Sequence, residues 1–154
     1  MRKLATAIAA IGLAAIGLAA PAHAAPQGTG CSSKWPGRDG YVRAWQHYDC
    51  GGSMLGSSTG NDADWGDRAG GFTVFAADEA SAVMNSGFVG GRDVVAFYAR
   101  PGFQGAYVCL SPQELYADNL TDNFYAGSSL VVNDNIESHA WVTASSCAAN
   151  SWLT

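Results

Sequence analysis

Basic residues are scarce in this chain, and beyond Lys3 they form no cluster. The 154 residues include eight Lys and Arg against thirteen Asp and Glu. Proteins that bind a polyanion rely on Lys and Arg to displace its counterions, so this composition argues against a nucleic-acid partner. The same acidic balance argues against electrostatic attachment to an anionic membrane. We expect neither nucleic acid nor membrane among the partners.

Histidine and metal-ligand spacings are also scarce. The chain has three His, and neither a C-x-x-C nor an H-x-x-x-H spacing is present, which argues against a zinc site. His47 lies in a predicted hairpin tip, where a lone histidine is usually a solvated side chain rather than a general base. Three carboxylates in one Gly- and Asn-rich loop, Asp62, Asp64 and Asp67, are typical of turns. We therefore expect no enzymatic activity.

The first twenty-four residues have the pattern of a secretory signal peptide. Arg2 and Lys3 precede an apolar run over 4–20, and Pro21-Ala22-His23-Ala24 supplies the A-x-A end at which such signals are cleaved. The run is rich in Ala and Gly and is barely long enough to span a bilayer. We expect cleavage after Ala24 and a secreted, extracellular protein.

Two short stretches, fifty-three positions apart, share one pattern. Trp45-x-x-x-x-Cys50-x-Gly52 and Tyr98-x-x-x-x-Phe103-x-Gly105 each place an aromatic residue before a four-residue tip and a glycine after it. Glycine tolerates the positive φ that a tight hairpin needs beyond its tip. Each stretch therefore predicts a folded-over β-hairpin.

A second repeated pattern follows each hairpin. The segments 77–82 and 134–139 both place acidic or amide groups before a serine, and we align Ser81 with Ser138, fifty-seven positions on. On this alignment the second copy carries about four extra residues, within 122–133. The two repeated patterns together predict an internal duplication.

The chain has four cysteines: Cys31, Cys50, Cys109 and Cys147. An even number in an exported chain favours two disulfides. Three pairings can be drawn, of which Cys31 with Cys50 and Cys109 with Cys147 keeps each bridge within one copy. Closing a loop of that size contributes roughly 3 kcal/mol.

Nineteen glycines and many short apolar segments, with no long amphipathic helix, predict an all-β sandwich of two Greek-key motifs. We expect a monomer with an irregular lead-in over 25–40, one domain over 41–142 and a tail over 143–154. Greek key one spans about 41–86 and Greek key two about 94–142. Trp65 and Leu120 are expected to plug the core. The expected strands cover 41–45, 53–56, 72–75, 80–84, 94–98, 105–110 and 140–142, with one helical turn over 112–115.

The doubled hairpin with a later acidic-x-x-Ser loop resembles the βγ-crystallin domain, over about 41–142. The phrase Phe97-Tyr98-Ala99-Arg100-Pro101-Gly102-Phe103-Gln104-Gly105 most resembles secreted bacterial peptidase inhibitors of the metalloproteinase-inhibitor type. This resemblance implies a non-enzymatic, disulfide-bonded inhibitor of an extracellular peptidase. Cys50 departs from the pattern, since a second aromatic usually stands there.

The resemblance also implies calcium, through a loop of two Asn or Asp residues, two variable positions, then Ser or Thr and Ser. Hard oxygen ligands of this kind suit calcium. His139 stands where the pattern has its final Ser, and Ala77 and Ala82 replace the first and last positions of copy one. The alternative is that Ser81 and Ser138 only hydrogen-bond backbone turns. The candidate ligands are Asp78, Glu79 and Ser81 in copy one and Asp134, Asn135 and Ser138 in copy two.

An inhibitor needs a rigid exposed segment, since preorganisation lowers the ordering cost of binding. Candidate contacts are Arg100 and Pro101 in the second hairpin tip, and Tyr125, Ser128 and Leu130 in the insert of copy two. The alternative to inhibition is a calcium-binding extracellular structural module. A third hypothesis, an antimicrobial or killer-toxin-like factor, ranks last.

Overall fold

The computed structural model describes residues 29–73 and 75–154; the expected signal peptide and the start of the lead-in lie outside them. The described elements are α1 (Thr29–Lys34), β1 (Tyr41–His47), β2 (Gly51–Ser58), β3 (Ala82–Ser86), β4 (Val94–Arg100), β5 (Gln104–Leu110), β6 (Tyr116–Ala117), β7 (Ser138–Val142) and a 3-10 turn (Ala144–Ser146). No helix in this part of the chain has the length and apolar character needed to cross a membrane.

The strands form two antiparallel sheets that exchange segments. One sheet has the order β2-β1-β3-β6 and the other β5-β4-β7. Strand β6, from the second copy, pairs with β3 of the first copy. Reciprocally, Asp62 of the first copy forms an isolated bridge with His139 of β7. This exchange confirms the predicted all-β sandwich of two Greek-key motifs.

The register of the two copies corrects the alignment of the serines. Trp45 of β1 lies opposite Ala82, whereas Tyr98 of β4 lies opposite Ser138. The backbone agrees, since Ser81 N–H donates to Trp45 O and Glu137 N–H donates to Tyr98 O. Ser81 is therefore the equivalent of Glu137, and Ser138 is the equivalent of Ala82. The second copy is three residues longer over this interval rather than four.

The core is organised around Trp65, which is fully buried. Its ring stacks on Phe72 with centroids 4.0 Å apart and an interplanar angle of 8°. Leu120 is also fully buried, so both predicted core plugs are confirmed. The strand expected over 72–75 is wrong for its described residues, because Phe72 forms only an isolated bridge with Gly56. The turn over 112–115 is not helical and ends at Leu115 with a φ of 67°.

The two disulfides pair Cys31 with Cys50 and Cys109 with Cys147, one in each copy. The lead-in, expected to be irregular, contains helix α1. Asp49 caps its first turn, since Asp49 Oδ1 accepts hydrogen bonds from the N–H groups of Gly30 (2.8 Å) and Cys31 (3.3 Å). These bonds satisfy donors that a helix start leaves unpaired. The bridge thus joins a capped helix to the first hairpin tip.

Candidate functional sites

Two loops face each other at the start of β3 and β7. Loop one is 77–82 and loop two is 133–138. Asp78 N–H donates to Ile136 O and Asp134 N–H donates to Ala80 O, each at 3.0 Å. Asp78 and Asp134 have φ angles of 59° and 53°, a left-handed conformation that Asp tolerates better than most residues. The two aspartates are therefore equivalent residues, and each carries its carboxylate to the boundary between the copies.

The first site combines Asp134 of loop two with Ser81 and Glu79 of loop one; we call it the open site. Ser81 Oγ lies 3.5 Å from Asp134 Oδ1, at the limit of a hydrogen bond. Burial raises the pKa of Asp134, and the nearby Glu79 carboxylate raises it further; Ser81, Asn133 and His47 act in the opposite direction. The open site thus holds two mutually repelling carboxylates, with no arginine or lysine of the described residues between them.

Asn133, next to Asp134, has one unpaired acceptor. Its Nδ2 donates to Asp134 Oδ2 at 2.6 Å. Its Oδ1 is buried and has no hydrogen-bond partner. A buried oxygen without a donor costs free energy unless a water or a cation satisfies it. Asn133 therefore leaves one buried oxygen next to loop two that a water or a cation can satisfy.

The second site is the equivalent of the first, with different side chains; we call it the arginine-filled site. It contains Asp78, Glu137 in the place of Ser81, and Arg100 in the place of His47. Arg100 Nη1 lies 3.9 Å from Glu137 Oε1. Burial and the Asp78 carboxylate raise the pKa of Glu137, and Arg100 lowers it. Burial raises the pKa of Asp78, and Arg100 again opposes the shift. A guanidinium thus stands where the open site has none.

The side chains of Ser138 and Asn135, both proposed as ligands from the sequence, form hydrogen bonds with backbone groups. Ser138 is fully buried; its hydroxyl donates to Arg100 O at 2.7 Å and accepts from Phe103 N–H at 3.3 Å. Asn135 Nδ2 donates to Asn133 O at 2.8 Å. Ser138 therefore holds the second hairpin tip, which is the role that the alternative interpretation gave to it.

His139 does not occupy the last position of the calcium pattern, because that position is Ser138 in the observed register. The His139 ring is fully buried in the core. Its Nδ1 accepts from Trp65 Nε1–H at 2.8 Å, and its Nε2 lies 3.0 Å from Gly60 O. These partners require the neutral ring with the proton on Nε2. Burial lowers the pKa of His139 to about 4, against the opposing effect of Gly60 O.

The donor set of the open site fits calcium. Calcium binds six to eight oxygens from carboxylates, amide and backbone carbonyls and water. Asp134, Glu79 and Asn133 offer carboxylate and amide oxygens, and Ser81 offers a hydroxyl. Over 29–73 and 75–154, no three His, Cys, Asp or Glu side chains form a metal-binding group. The fit therefore depends on Ser81 and Asn133 as well as on the carboxylates.

The structure separates the candidates for peptidase contact. Arg100 and Pro101 are exposed at the second hairpin tip, and Ser128 and Leu130 are exposed in the insert. Tyr125 is 1% exposed, and its hydroxyl donates to Asn135 O. The proposal of Tyr125 as a contact residue is therefore wrong, because its ring belongs to the core.

Sequence reasoning missed Asn133 and Glu137 as members of the sites, and it missed Arg100 as a counter-ion. The signal was present in the residues themselves. Aligned at an offset of fifty-six, Asn133-Asp134-Asn135 faces Ala77-Asp78-Glu79, and Glu137 faces Ser81. Loop two then begins with the two Asn or Asp residues that the pattern requires.

Comparison with solved structures gives distant likenesses. No protein-family model and no curated protein matches the chain. A solved structure from work on the evolution of the eye-lens βγ-crystallin domain fold is 23% identical and covers 68% of this chain and 86% of its own, with a TM-score of 0.49. A βγ-crystallin from Ciona intestinalis is 18% identical (66% and 99%; TM-score 0.47), and spherulin 3a from Physarum polycephalum is 23% identical (70% and 86%; TM-score 0.43).

The fold rests on the strand exchange and the repeated hairpins. They define a disulfide-bonded, βγ-crystallin-like sandwich of two Greek-key motifs.

Proposed function

We propose that this protein is a secreted, non-enzymatic βγ-crystallin-like module that binds one calcium ion at the open site. One observation carries the proposal: Ser81 Oγ of Greek key one lies 3.5 Å from Asp134 Oδ1 of Greek key two. The ligands come from both copies, so a bound ion links the two halves of the sandwich. The function is then a calcium-dependent increase in the rigidity of an extracellular domain.

Electrostatics supports this role. Burial and the neighbouring carboxylate disfavour the charged form of Asp134, which is why its pKa is raised. A divalent cation reverses this effect, because it attracts both carboxylates and needs their charged form. A ligand that binds only the folded state also raises the free energy of unfolding, by about 2.7 kcal/mol when its concentration is a hundred times Kd.

The proposed location outside the cell draws support from the disulfides. Both bridges join residues within one copy and leave no free cysteine among the described residues. Disulfides persist in oxidising compartments, where free calcium is also high enough for sites of modest affinity.

Thermal unfolding in chelator, magnesium and calcium tests the proposal. Calcium should raise Tm and magnesium should not, because magnesium requires a stricter octahedral geometry. Ser81→Ala removes one ligand and should reduce the calcium-dependent shift. Ser129→Ala, in the exposed insert, is the matched control and should keep it. Equal melting temperatures of the wild-type protein in chelator and in calcium would refute the calcium site.

Inhibition of an extracellular peptidase is a second candidate, favoured by the anchoring of the second hairpin tip. Gly102 N–H donates to Ala63 O at 2.6 Å. Ser138 Oγ bonds Arg100 O on one side and Phe103 N–H on the other. The Arg100 side chain nevertheless remains 72% exposed. A tip held in this way presents Arg100 and Pro101 at little ordering cost.

A panel of metallo- and serine peptidases, titrated with the purified protein, tests this second candidate. Stoichiometric loss of one activity would support inhibition, and Arg100→Ala should then weaken it whereas Arg68→Ala, also at an exposed arginine, should not. Peptidases that survive chelation are assayed with and without calcium. If no peptidase loses activity while the protein stays intact, inhibition is rejected and the calcium proposal stands unaffected.

A further inference from the structure

A concave surface lies beside the C-terminal ends of β3 and β7, whereas loops one and two lie at the start of these strands. It consists of two adjoining hollows of about 500 and about 230 Å³. Both hollows are lined by Asn61, Arg92 and Trp141, so they form one continuous groove. Phe88 and Gly87, which follow β3, complete the larger hollow. Together the volumes fall in the range of sites that hold small organic ligands.

The groove differs in charge from the rest of this acidic protein. Its lining contains Arg92 and no carboxylate, although the chain has thirteen Asp and Glu. Arg92 is exposed and forms no ion pair with any residue of 29–73 or 75–154. Asn61 Oδ1 is used by the backbone, which leaves its amide NH₂ group for a ligand. The groove therefore offers hydrogen-bond donors and one positive charge.

Two aromatic side chains stand beside these donors. Trp141 lines both hollows, and its ring lies so close to Gly87 that a Cβ there would be 2.5 Å from Cζ3. Phe88 is 67% exposed and lies over Gly40. Phe88 is exposed, whereas Trp141 is half-buried and packs against the core; aromatic surface within a polar rim is typical of a binding surface. Their faces can pack against the C–H face of a sugar ring while nearby donors bind its oxygens.

The edge of β7 argues against an extended peptide in this groove. A peptide that adds to a sheet edge uses the free backbone groups of that edge. Here the Trp141 N–H donates to Asn61 Oδ1 at 2.9 Å. Asp62 occupies the neighbouring stretch of the edge through its bridge with His139. The ligand must therefore be recognised by side chains.

We propose that this groove binds an acidic oligosaccharide, a short chain of uronic acid units. A carboxylate of the sugar pairs with the Arg92 guanidinium, whose fork of donors matches a carboxylate. Hydroxyl groups accept from the Asn61 amide, and sugar rings pack on Trp141 and Phe88. This site is separate from the open site and does not depend on calcium.

The test is a titration of the wild-type protein with trigalacturonate in chelator-containing buffer, followed by calorimetry and by the indole N–H signals in nitrogen-edited NMR spectra. We expect saturable binding and a shift of the Trp141 signal. The fully methyl-esterified trimer should bind about tenfold more weakly, because it cannot pair with Arg92. Arg92→Gln should weaken trigalacturonate binding by about tenfold. Arg68→Gln, the matched loss of an exposed charge, should leave it unchanged.

Three results would overturn the proposal: no binding by the wild-type protein, equal binding of the acidic and esterified trimers, or equal effects of the Arg92 and Arg68 substitutions. A triglutamate peptide is the competitor. If it binds as tightly as trigalacturonate and shows the same dependence on Arg92, the groove recognises carboxylates in general and the assignment to sugars fails. Circular dichroism melts of both variants exclude loss of fold as the cause.

Discussion

The open site and the arginine-filled site occupy equivalent places in the two copies, yet they differ in how negative charge is balanced. Ser81 in one is Glu137 in the other, and His47 in one is Arg100 in the other. Each site holds two carboxylates, but the arginine-filled site also holds a permanent cation. The open site has the Ser81 hydroxyl in the place of the Glu137 carboxylate. We infer that two equivalent sites in one domain can differ in this way, one being open to an external cation and the other holding a cationic side chain of the protein itself.

The internal ion pair has little effect on stability by itself. Arg100 and Glu137 are 3.9 Å apart, and the Arg100 side chain is largely exposed, a setting in which ion pairs contribute about 0 to 1 kcal/mol. Its consequence is electrostatic: the guanidinium opposes the pKa increases of both Asp78 and Glu137. We therefore expect calcium at only one of the two sites.

The largest expected effect is a pH dependence of stability caused by His139 of β7. The equivalent residue in β3 is Val83, so the copies also differ at this position. Because burial lowers the pKa of His139 from 6.5 to about 4, the unfolded chain takes up this proton before the folded protein does. Stability should fall by about 3 kcal/mol as the pH falls from about 6.5 to 4. Urea unfolding of the wild type and of His139→Val at both ends of this range measures the effect.

His139→Val should be less stable near neutral pH by about 2 kcal/mol, since Trp65 Nε1–H and Gly60 O lose their partner. As the pH falls, the free energy of unfolding of the wild type should decrease to that of His139→Val and then drop below it. Four carboxyl groups have raised pKa values and therefore increase stability on acidification: Asp62, Asp78, Asp134 and Glu137. They are present in both proteins and do not contribute to the difference between them. A difference that stays constant with pH would show that His139 is not the titrating group.

The next largest effect tests the asymmetry of the two aspartates. Asp134→Asn should weaken calcium binding about a hundredfold, which corresponds to about 2.7 kcal/mol, because a charged ligand is lost. Asp78→Asn, the equivalent change in the other copy, should alter the affinity by less than about threefold. Calorimetric titration of both variants measures this. Equal losses would mean that the two aspartates share one ion.

Features set by neighbouring residues were predictable from the sequence. The two hairpins follow from an aromatic residue and a glycine a few positions apart, and the presence of two disulfides follows from an even cysteine count, whereas the sequence left three pairings open. Helix α1 was missed because its cap, Asp49, lies far along the chain from Gly30. The register of loop two was predicted wrongly because the insert contains a core residue. Tyr125 is buried within a Gly- and Ser-rich stretch, so the polarity of this stretch does not show how long the insert is.

The third prediction converts the open site toward its counterpart. His47→Arg places a permanent charge in the position equivalent to Arg100, beside Asp134. Calcium affinity should fall about tenfold, because the guanidinium and the ion compete for the same carboxylates. His47→Gln, which adds no charge, is the control and should stay near the wild-type affinity. If both variants bind calcium equally, Arg100 does not explain the difference between the sites.

The smallest expected effect is the reverse conversion. Arg100→Gln leaves Asp78 and Glu137 without their counter-ion, so a second calcium ion should bind with a Kd of about 1 mM, in the range of weak extracellular modules. The calorimetric stoichiometry should rise from one toward two, whereas Arg68→Gln should leave it at one. A stoichiometry of one for Arg100→Gln would show that Glu137 cannot replace the ligands of the open site.

A crystal structure of the wild-type protein grown in calcium, with an anomalous difference map, tests the central claim most directly. The account predicts one peak, between Asp134 and Ser81, with Asn133 Oδ1 near it and with Arg100 still beside Glu137. A peak beside Asp78 and Glu137, or no peak at either pair of loops in saturating calcium, would contradict it.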